Sequence, residues 1–238
     1  MTMAKQSGHN IALGLLAILM ATWMPGAGAS DKTKPVPPSA KKKDARVYDE
    51  MVVVPAGKFI YGKPGETKEI NLPAYSIDKY EVTNSQFARF NLDHRYEPDK
   101  ANFPVTMVSL NDASAHCEAL DKRLPTEQEW EKAARGTDGR IYPWGNEFIK
   151  IACITSETAT EGQPMPVGSC EKGKSPYGAM DMAGNVWEWT SSFSERYSIL
   201  RGGSFFEEGD SAKVFSSLLS IPDDSKDYVG FRCAKNGK

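Results

Sequence analysis

Histidine and cysteine are scarce in this sequence, and their positions exclude several kinds of site. The 238 residues include three histidines and four cysteines. His9 lies in an apolar N-terminal segment, which leaves His94 and His116, too few for a three-histidine metal centre. The cysteines form no C-x-x-C pair, and no serine stands in a G-x-S-x-G elbow. Zinc-finger, α/β-hydrolase and phosphate-binding-loop chemistry are therefore not expected.

Long apolar runs are absent apart from one near the N-terminus. Ile11–Met24 is an apolar run of 14 residues, shorter than a membrane span. It follows Lys5 and precedes a small-residue site that ends at Ala29, so residues 1–29 are predicted to be a signal peptide cleaved near Ala29. An uncleaved membrane anchor is the alternative. We expect a periplasmic or secreted mature chain without a transmembrane helix.

Charge is distributed unevenly along the chain. Residues 30–46 carry six basic and two acidic side chains and are rich in lysine and proline. Such a composition predicts a disordered linker. Residues 47–238, the predicted folded domain, carry 22 basic and 29 acidic side chains, a formal charge of −7. A domain of that charge is a poor partner for a phosphate backbone, so nucleic-acid binding is not expected.

All four cysteines lie in the predicted mature part of the chain. In an oxidising compartment an even number of cysteines favours two disulfides over free thiols. Four cysteines allow three pairings, and metal binding is the alternative. The residues are Cys117, Cys153, Cys170 and Cys233.

The segment Ser175–Ser192 combines glycine bends with two tryptophans. Trp187 and Trp189 are two residues apart, so in a strand they face the same side, and each buried indole N–H needs an acceptor. The bends could gather oxygen atoms around one calcium ion. Those oxygens would be the side chains of Asp181 and Glu188 and the carbonyls of Gly184 and Val186. The alternative is an aromatic core strand with a solvated Glu188.

Helix signals occur in the first half of the domain. Thr83 and Thr126 open capping boxes, and Asn111 is predicted to cap a helix between them. On the last helix, Glu131 and Arg135 are spaced for a surface ion pair. In the second half, glycine, proline, serine and aspartate separate short aromatic or β-branched runs. We predict an α+β domain with many long loops.

Few residues are candidates for catalysis. Ser204 follows two glycines that could expose backbone N–H groups, and Glu207 and Glu208 stand close to it in sequence. These three are weak catalytic candidates, and solvated acidic loops are the alternative. His116 and Cys117 are adjacent, but neighbours on a helix point about 100° apart. We therefore expect a disulfide-bonded Cys117 and a half-exposed His116.

Six motifs resemble, in order, those of the formylglycine-generating enzyme, or sulfatase-modifying factor, family. The resemblance covers about residues 50–235. It implies an elaborated C-type-lectin-like fold with little regular secondary structure, stabilised by calcium. The motifs are Tyr80–Asn84, Arg123–Gly136, Tyr142–Asn146, Tyr177–Ser192, Arg201–Phe205 and Gly230–Ala234.

The resemblance also implies specific structural sites. A calcium site of the family falls on the same four residues that the bends select, from Asp181 to Glu188. A further family calcium site would lie around Cys153, where the chain lacks part of the corresponding loop. A family disulfide falls on Cys117 and Cys233, which leaves Cys153 and Cys170 for a second bridge.

The chain departs from the family at the copper ligands. Active members hold Cu(I) between two thiolates after the R-G-G-S motif and oxidise a substrate cysteine with oxygen, and soft thiolates suit Cu(I). Glu207 and Ala212 stand at those positions, and no cysteine occurs between Cys170 and Cys233. Copper and formylglycine-generating activity are therefore not expected.

Three functional hypotheses follow. The first is an exported, monomeric, calcium-stabilised module that binds a protein or small-molecule ligand through the loop 205–227. The alternative is a periplasmic oxidoreductase or tailoring enzyme, similar to the cysteine-less relatives that mature pyoverdine, with Glu207 or Glu208 acting beside Ser204. A formylglycine generator with another oxidant is the third, although nothing in the sequence supplies its thiolate. The anchors of the binding loop would be Phe205, Phe206, Phe215 and Tyr228.

Overall fold

The computed structural model describes residues 48–237, and the predicted signal peptide and linker lie outside the described residues. The described chain contains three α-helices, and none of them is long and apolar enough to cross a membrane. They are α1 Asn84–Phe90, α2 Leu110–Glu118 and α3 Glu127–Arg135. The strands are β1 Met51–Val54, β2 Gly57–Tyr61, β3 Lys68–Leu72, β4 Tyr75–Asp78, β5 Trp187–Ser194, β6 Tyr197–Arg201, β7 Ser217–Ser220, β8 Val229–Gly230 and β9 Ala234–Asn236.

The strands pair into three small sheets. The order β1-β4-β9, all antiparallel, brings the beginning and the end of the domain together. β2 and β3 form a separate hairpin. The third sheet has the order β7-β6-β5-β8, in which β5 and β8 run parallel. Trp187 and Trp189 of β5 both enter one apolar cluster with Leu200 and Phe231, as their spacing predicts.

Capping boxes define the starts of the three helices. Thr83 and Thr126 are N-caps, as predicted. The N-cap of α2 is Ser109, and the prediction of Asn111 was wrong. The Ser109 side chain accepts from the N–H of Asp112, whose carboxylate accepts from the N–H of Ser109. Asp112 therefore takes the place of the usual Glu or Gln of a capping box.

The ion pair on α3 is buried, so its prediction as a surface pair was wrong. Glu131 and Arg135 are 2.9 Å apart, and both side chains are fully buried. Glu131 also pairs with Arg201 at 3.0 Å, and it accepts from the N–H of Gly62 at 2.7 Å. The partners come from β6 and from the end of β2, which cover this face of the helix. The helical spacing predicts that Glu131 and Arg135 pair, but it does not predict that strands from elsewhere in the chain bury them.

One disulfide closes the long loop of the domain. It joins Cys117 on α2 to Cys233 just before β9, the pairing that the resemblance implied. Cys153 and Cys170 are unbonded and buried in this structure. The second bridge between them therefore stays a prediction.

Candidate functional site

Ser204 is held by Glu207 in a turn that follows β6. The Ser204 hydroxyl donates to Glu207 Oε2 at 2.6 Å, and the Ser204 N–H donates to the same oxygen at 3.1 Å. The Phe206 N–H in turn donates to Ser204 Oγ at 3.1 Å. Glu207 Oε1 accepts from the Trp187 indole at 3.0 Å. Ser204 is only 1% exposed, so its hydroxyl is buried and occupied as both donor and acceptor.

The glycine before Ser204 allows this turn to pack closely. Gly203 has a φ of +75°, and a Cβ there would lie 2.6 Å from the Ser211 carbonyl oxygen. The contact brings the Ser204 turn against the segment that contains Ala212. Ala212 is buried. The resemblance places the thiolates of active members at Glu207 and Ala212, which here present a carboxylate and a methyl group.

Two buried thiols lie near each other, and one of them, Cys153, packs beside Ala212. Cys153 belongs to the same buried apolar cluster as Ala212. Burial raises the pKa of the Cys153 thiol to about 12, and the nearby Cys170 adds to the shift. Burial also raises the pKa of Cys170 to about 12. Both thiols are therefore protonated at neutral pH.

A second polar centre contains three buried carboxylates around one arginine. Glu81, Asp181, Glu188 and Arg232 are each 5% exposed or less. Arg232 donates to both oxygens of Glu188 at 2.7 Å, and the Trp130 indole donates to Glu188 at 2.7 Å. Three carboxylates and one guanidinium have a formal charge of −2. Burial, reinforced by Asp181 and Glu188, raises the pKa of Glu81 well above its usual range.

The predicted calcium ligands lie in and beside this centre. Glu188 is buried and not solvated, and its oxygens accept from Arg232 and Trp130. Asp181 accepts from the N–H of Gly168 at 2.6 Å. Among residues 48–237, no three His, Cys, Asp or Glu side chains are arranged around a common metal position. The excess negative charge suits a divalent cation, and calcium there stays a prediction.

Sequence reasoning missed Glu81 and Arg232 as members of this centre. Glu81 accepts from the Asn185 side-chain amide at 2.6 Å and from the Val186 N–H at 3.2 Å. It therefore fixes the bend that carries the predicted calcium oxygens. Glu81 lies in the motif Tyr80–Asn84, and Arg232 lies in the motif Gly230–Ala234. Their positions in these family motifs were the sequence signal that could have indicated their role.

Glu208 and Glu207 have different surroundings. It lines a surface cavity of about 200 Å³, whereas Glu207 contacts Ser204. The Phe148 ring lies over Gly209, where a Cβ would come within 2.3 Å of it. The two glutamates therefore do not act at one point. The cavity is lined by Phe148, Glu157, Glu208, Gly209 and Asp210.

Of the four aromatic anchors predicted for the loop 205–227, two belong to the interior. Phe205 is 5% exposed and packs in a buried cluster, and Phe215 packs against the core around α3. Phe206 is 70% exposed, and its ring stacks on Tyr228 with 6.1 Å between centroids. The loop therefore presents Phe206, supported by Tyr228.

Residues 168–175 match the letters of the phosphate-binding pattern G-x-x-x-x-G-K-S, which sequence reasoning overlooked. The pattern requires a following helix, but Glu171–Gly173 form a single 3₁₀ turn that leads into a loop. The Gly168 N–H is bound by the Asp181 carboxylate, and a Cβ at Gly173 would meet the Ala152 carbonyl at 2.0 Å. These glycines serve close packing, and no phosphate cradle forms.

Comparison with known proteins identifies the family. Residues 37–237 match the family described as "Sulfatase-modifying factor enzyme 1-like domain". The chain belongs to this family. The inactive C-alpha-formylglycine-generating enzyme 2 of Bos taurus is 30% identical over 267 residues, which cover 77% of this chain and 87% of the relative. The formylglycine-generating enzyme of Thermomonospora curvata is 34% identical over 290 residues, 82% and 96% of the two chains.

Solved structures support the same fold. The structure of PvdO from Pseudomonas aeruginosa superimposes with a TM-score of 0.66 at 22% identity, covering 79% of this chain and 94% of PvdO. At this identity the likeness concerns the fold alone. The predicted fold class is confirmed.

Membership of the sulfatase-modifying-factor family does not by itself decide the chemistry. Named relatives include a formylglycine-generating enzyme and a protein called inactive. The resemblance points to Glu207 and Ala212, which would correspond to the thiolate positions of active members.

Proposed function

We propose that this chain is a ligand- or protein-binding module of the sulfatase-modifying-factor family that does not generate formylglycine. The observation that carries the proposal is the hydrogen bonding of Glu207 in the turn after β6. Glu207 binds the Ser204 hydroxyl at 2.6 Å and the Trp187 indole at 3.0 Å. A hydrogen-bonded carboxylate and a methyl group give Cu(I) no sulfur ligands.

The absence of oxidase chemistry is tested with copper and a thiol substrate. The full chain is incubated with Cu(I) and a cysteine-containing peptide, with the Thermomonospora curvata enzyme as the positive control. We expect no oxygen uptake and no peptide aldehyde above the enzyme-free blank. A matched variant carrying Glu207→Cys and Ala212→Cys is expected to gain Cu(I) binding. Aldehyde formation by the unchanged chain would overturn the proposal.

The binding surface of the proposed module is the loop 205–227. Loops on a rigid frame commonly carry binding residues, and an exposed aromatic side chain is a usual contact point. Phe206 meets this description because Tyr228 supports its ring while 70% of the residue is exposed.

A photo-crosslinking side chain tests this surface. Benzoylphenylalanine is placed at Phe206 or, as a control, at Phe193, which is 52% exposed on β5. We expect a discrete crosslinked adduct in cells from position 206 and none from position 193. Equal adducts from both positions, or no adduct from 206, would contradict binding through this loop.

A second candidate function is a tailoring reaction at the same turn. The short Ser204–Glu207 hydrogen bond and the acidic cavity beside Glu208 favour it. It requires stoichiometric iron or copper in the purified chain, lost on Glu207→Gln or Glu208→Gln, together with oxygen consumption. Calcium as the sole bound metal would support the binding module instead.

The proposal includes calcium and export. A calcium ion would offset the −2 charge of the buried carboxylate centre, with the side chains of Asp181 and Glu188 and the carbonyls of Gly184 and Val186 as its ligands. Export rests on residues 1–29, which carry the signal-peptide pattern. N-terminal sequencing of the protein from the native host tests it, and we expect the mature chain to begin at Ser30.

A further inference from the structure

A cavity of about 690 Å³ lies between α1, the end of α2 and the end of β4. Its volume is within the range of small-molecule sites. The lining includes no residue of the loop 205–227 and none of the buried carboxylate centre. What it binds is therefore a separate question from the proposed function.

The wall of this cavity is apolar on one side. Phe90 is 40% exposed and Leu120 is 51% exposed, and Val82 and Ala119 line the same space. Large apolar side chains left accessible in a concave site favour a ligand with an apolar body.

The polar side of the cavity has more donors than acceptors. Asp49 already accepts from Gln86 at 2.8 Å and from Arg89 at 3.4 Å, and Asp78 accepts from Lys122 at 2.6 Å. A guanidinium has five N–H groups and an ammonium has three. Once both carboxylates are matched, Arg89 and Lys122 retain donors for an anionic group.

His116 forms part of the wall of this cavity. The residue is 3% exposed, lines the cavity and stacks on Phe87, yet its Nδ1 has no hydrogen-bond partner. Burial, with Lys122 and Arg89 nearby, lowers its pKa to about 4. The imidazole is therefore neutral at pH 7 and has one N–H to donate.

We propose that this cavity binds a small monocarboxylate with a branched aliphatic or aromatic body. The carboxylate accepts hydrogen bonds from Arg89, Lys122 and His116, and the apolar body packs on Phe90 and Leu120. A cationic ligand is disfavoured because it would compete with Arg89 and Lys122 for carboxylates that are already bound.

Isothermal titration of the full chain at pH 7 tests the proposal with matched probes. 4-Methylpentanoate and phenylacetate are compared with 4-methylpentan-1-ol and 4-methylpentylamine. We expect saturable one-to-one binding of the carboxylates, affinity at least about tenfold weaker for the alcohol, and no binding of the amine.

Variants assign the binding to these residues. Arg89→Gln and His116→Phe are each expected to weaken carboxylate binding about tenfold or more. Arg95→Gln is the control, because Arg95 donates to the Leu92 carbonyl and does not line the cavity. Arg89 is 68% exposed in its side chain, so its replacement leaves the fold intact. The proposal is overturned by unsaturable carboxylate binding, by equal binding of the amine, or by unchanged affinity in Arg89→Gln.

Discussion

Arg232 places a guanidinium within the buried centre formed by Glu81, Asp181 and Glu188. Its side chain and that of Glu188 are fully buried, 2.7 Å apart. It also donates to the carbonyl oxygens of Asp78 and Met180. Losing the arginine would leave Glu188 buried without this ion-pair partner and would remove the positive charge that offsets part of the negative charge of the centre.

Arg232→Met is therefore expected to lower the free energy of unfolding by about 3–5 kcal/mol. The reason is that Glu188 would stay buried without its ion-pair partner. The apolar contacts of the new methionine side chain would offset only part of that cost in free energy. Urea denaturation at pH 7 measures it. Arg196→Met is the control, because Arg196 is exposed and its loss is expected to cost no more than about 0.5 kcal/mol. Equal costs for both variants would contradict this view of the centre.

His116 lies in an aromatic cage and not at the half-exposed position predicted from sequence. Its ring lies between 5.3 and 5.6 Å from those of Phe87, Phe90 and Phe231, measured between centroids. Burial lowers its pKa from 6.5 to about 4. Between these two values the unfolded chain binds more protons at this residue, so acid destabilises the folded state through it.

His116→Phe is expected to reduce the loss of stability on acidification. As the pH falls from 7 to 4, the free energy of unfolding of the unchanged chain should decrease relative to the variant, because only the unchanged chain has an imidazole to protonate. Chemical denaturation at several pH values measures the difference. Raised carboxyl pKa values, such as that of Asp78, remain in both proteins and cancel. A pH-independent difference would contradict the prediction.

Short turns replace regular elements in the second half of the domain, and they set the positions of two cysteines. The 3₁₀ turns Lys150–Ala152 and Glu171–Gly173 flank Cys153 and Cys170. The turns pack so closely that a Cβ at Gly173 would collide with the Ala152 carbonyl. The two thiols are buried, and Cys170 is near enough to influence the pKa of Cys153.

A disulfide between Cys153 and Cys170 remains our expectation for the exported protein. The reason is that two neighbouring thiols in an oxidising compartment tend to bond. Chain from the native host is unfolded without reductant, alkylated and measured by mass spectrometry. We expect no alkylated cysteine before reduction and four after it. Two alkylated cysteines before reduction would show that only the Cys117–Cys233 bridge forms.

Element boundaries were predictable where one local rule decides them. The Thr83 and Thr126 capping boxes locate α1 and α3 because their hydrogen bonds span only three residues. Ser109 escaped detection because aspartate replaces the usual glutamate in its box. The burial of Glu131 with Arg201 could not be predicted, since these residues are 70 positions apart and meet only when β6 packs on α3.

At the scale of the whole domain, part of the net negative charge lies in the interior and not on the surface. Residues 47–238 carry a formal charge of −7, and the centre around Arg232 contributes −2 of it in the interior. Buried charge must be compensated or neutralised by protonation. A bound divalent cation would allow Glu81 to remain ionised at neutral pH.

Removal of calcium is therefore expected to lower the melting temperature of the full chain by about 5 °C or more. Thermal unfolding is measured with EGTA and again after calcium is restored, with magnesium as the comparison ion. Glu81→Gln should shrink this shift, because it removes one of the two excess charges. An EGTA-independent melting temperature would contradict calcium at this centre.

The fold and the Cys117–Cys233 disulfide followed from the family resemblance that the six ordered motifs carry. The sequence also shows no cysteine between Cys170 and Cys233, and for that reason we expect no copper site after the R-G-G-S motif. Only the tertiary structure decided that Glu207 binds Ser204 and Trp187, and that Glu188 pairs with Arg232. Trp187 lies 20 positions before Glu207, and Arg232 lies 44 positions after Glu188, so these pairs meet only when the sheets and α3 pack together.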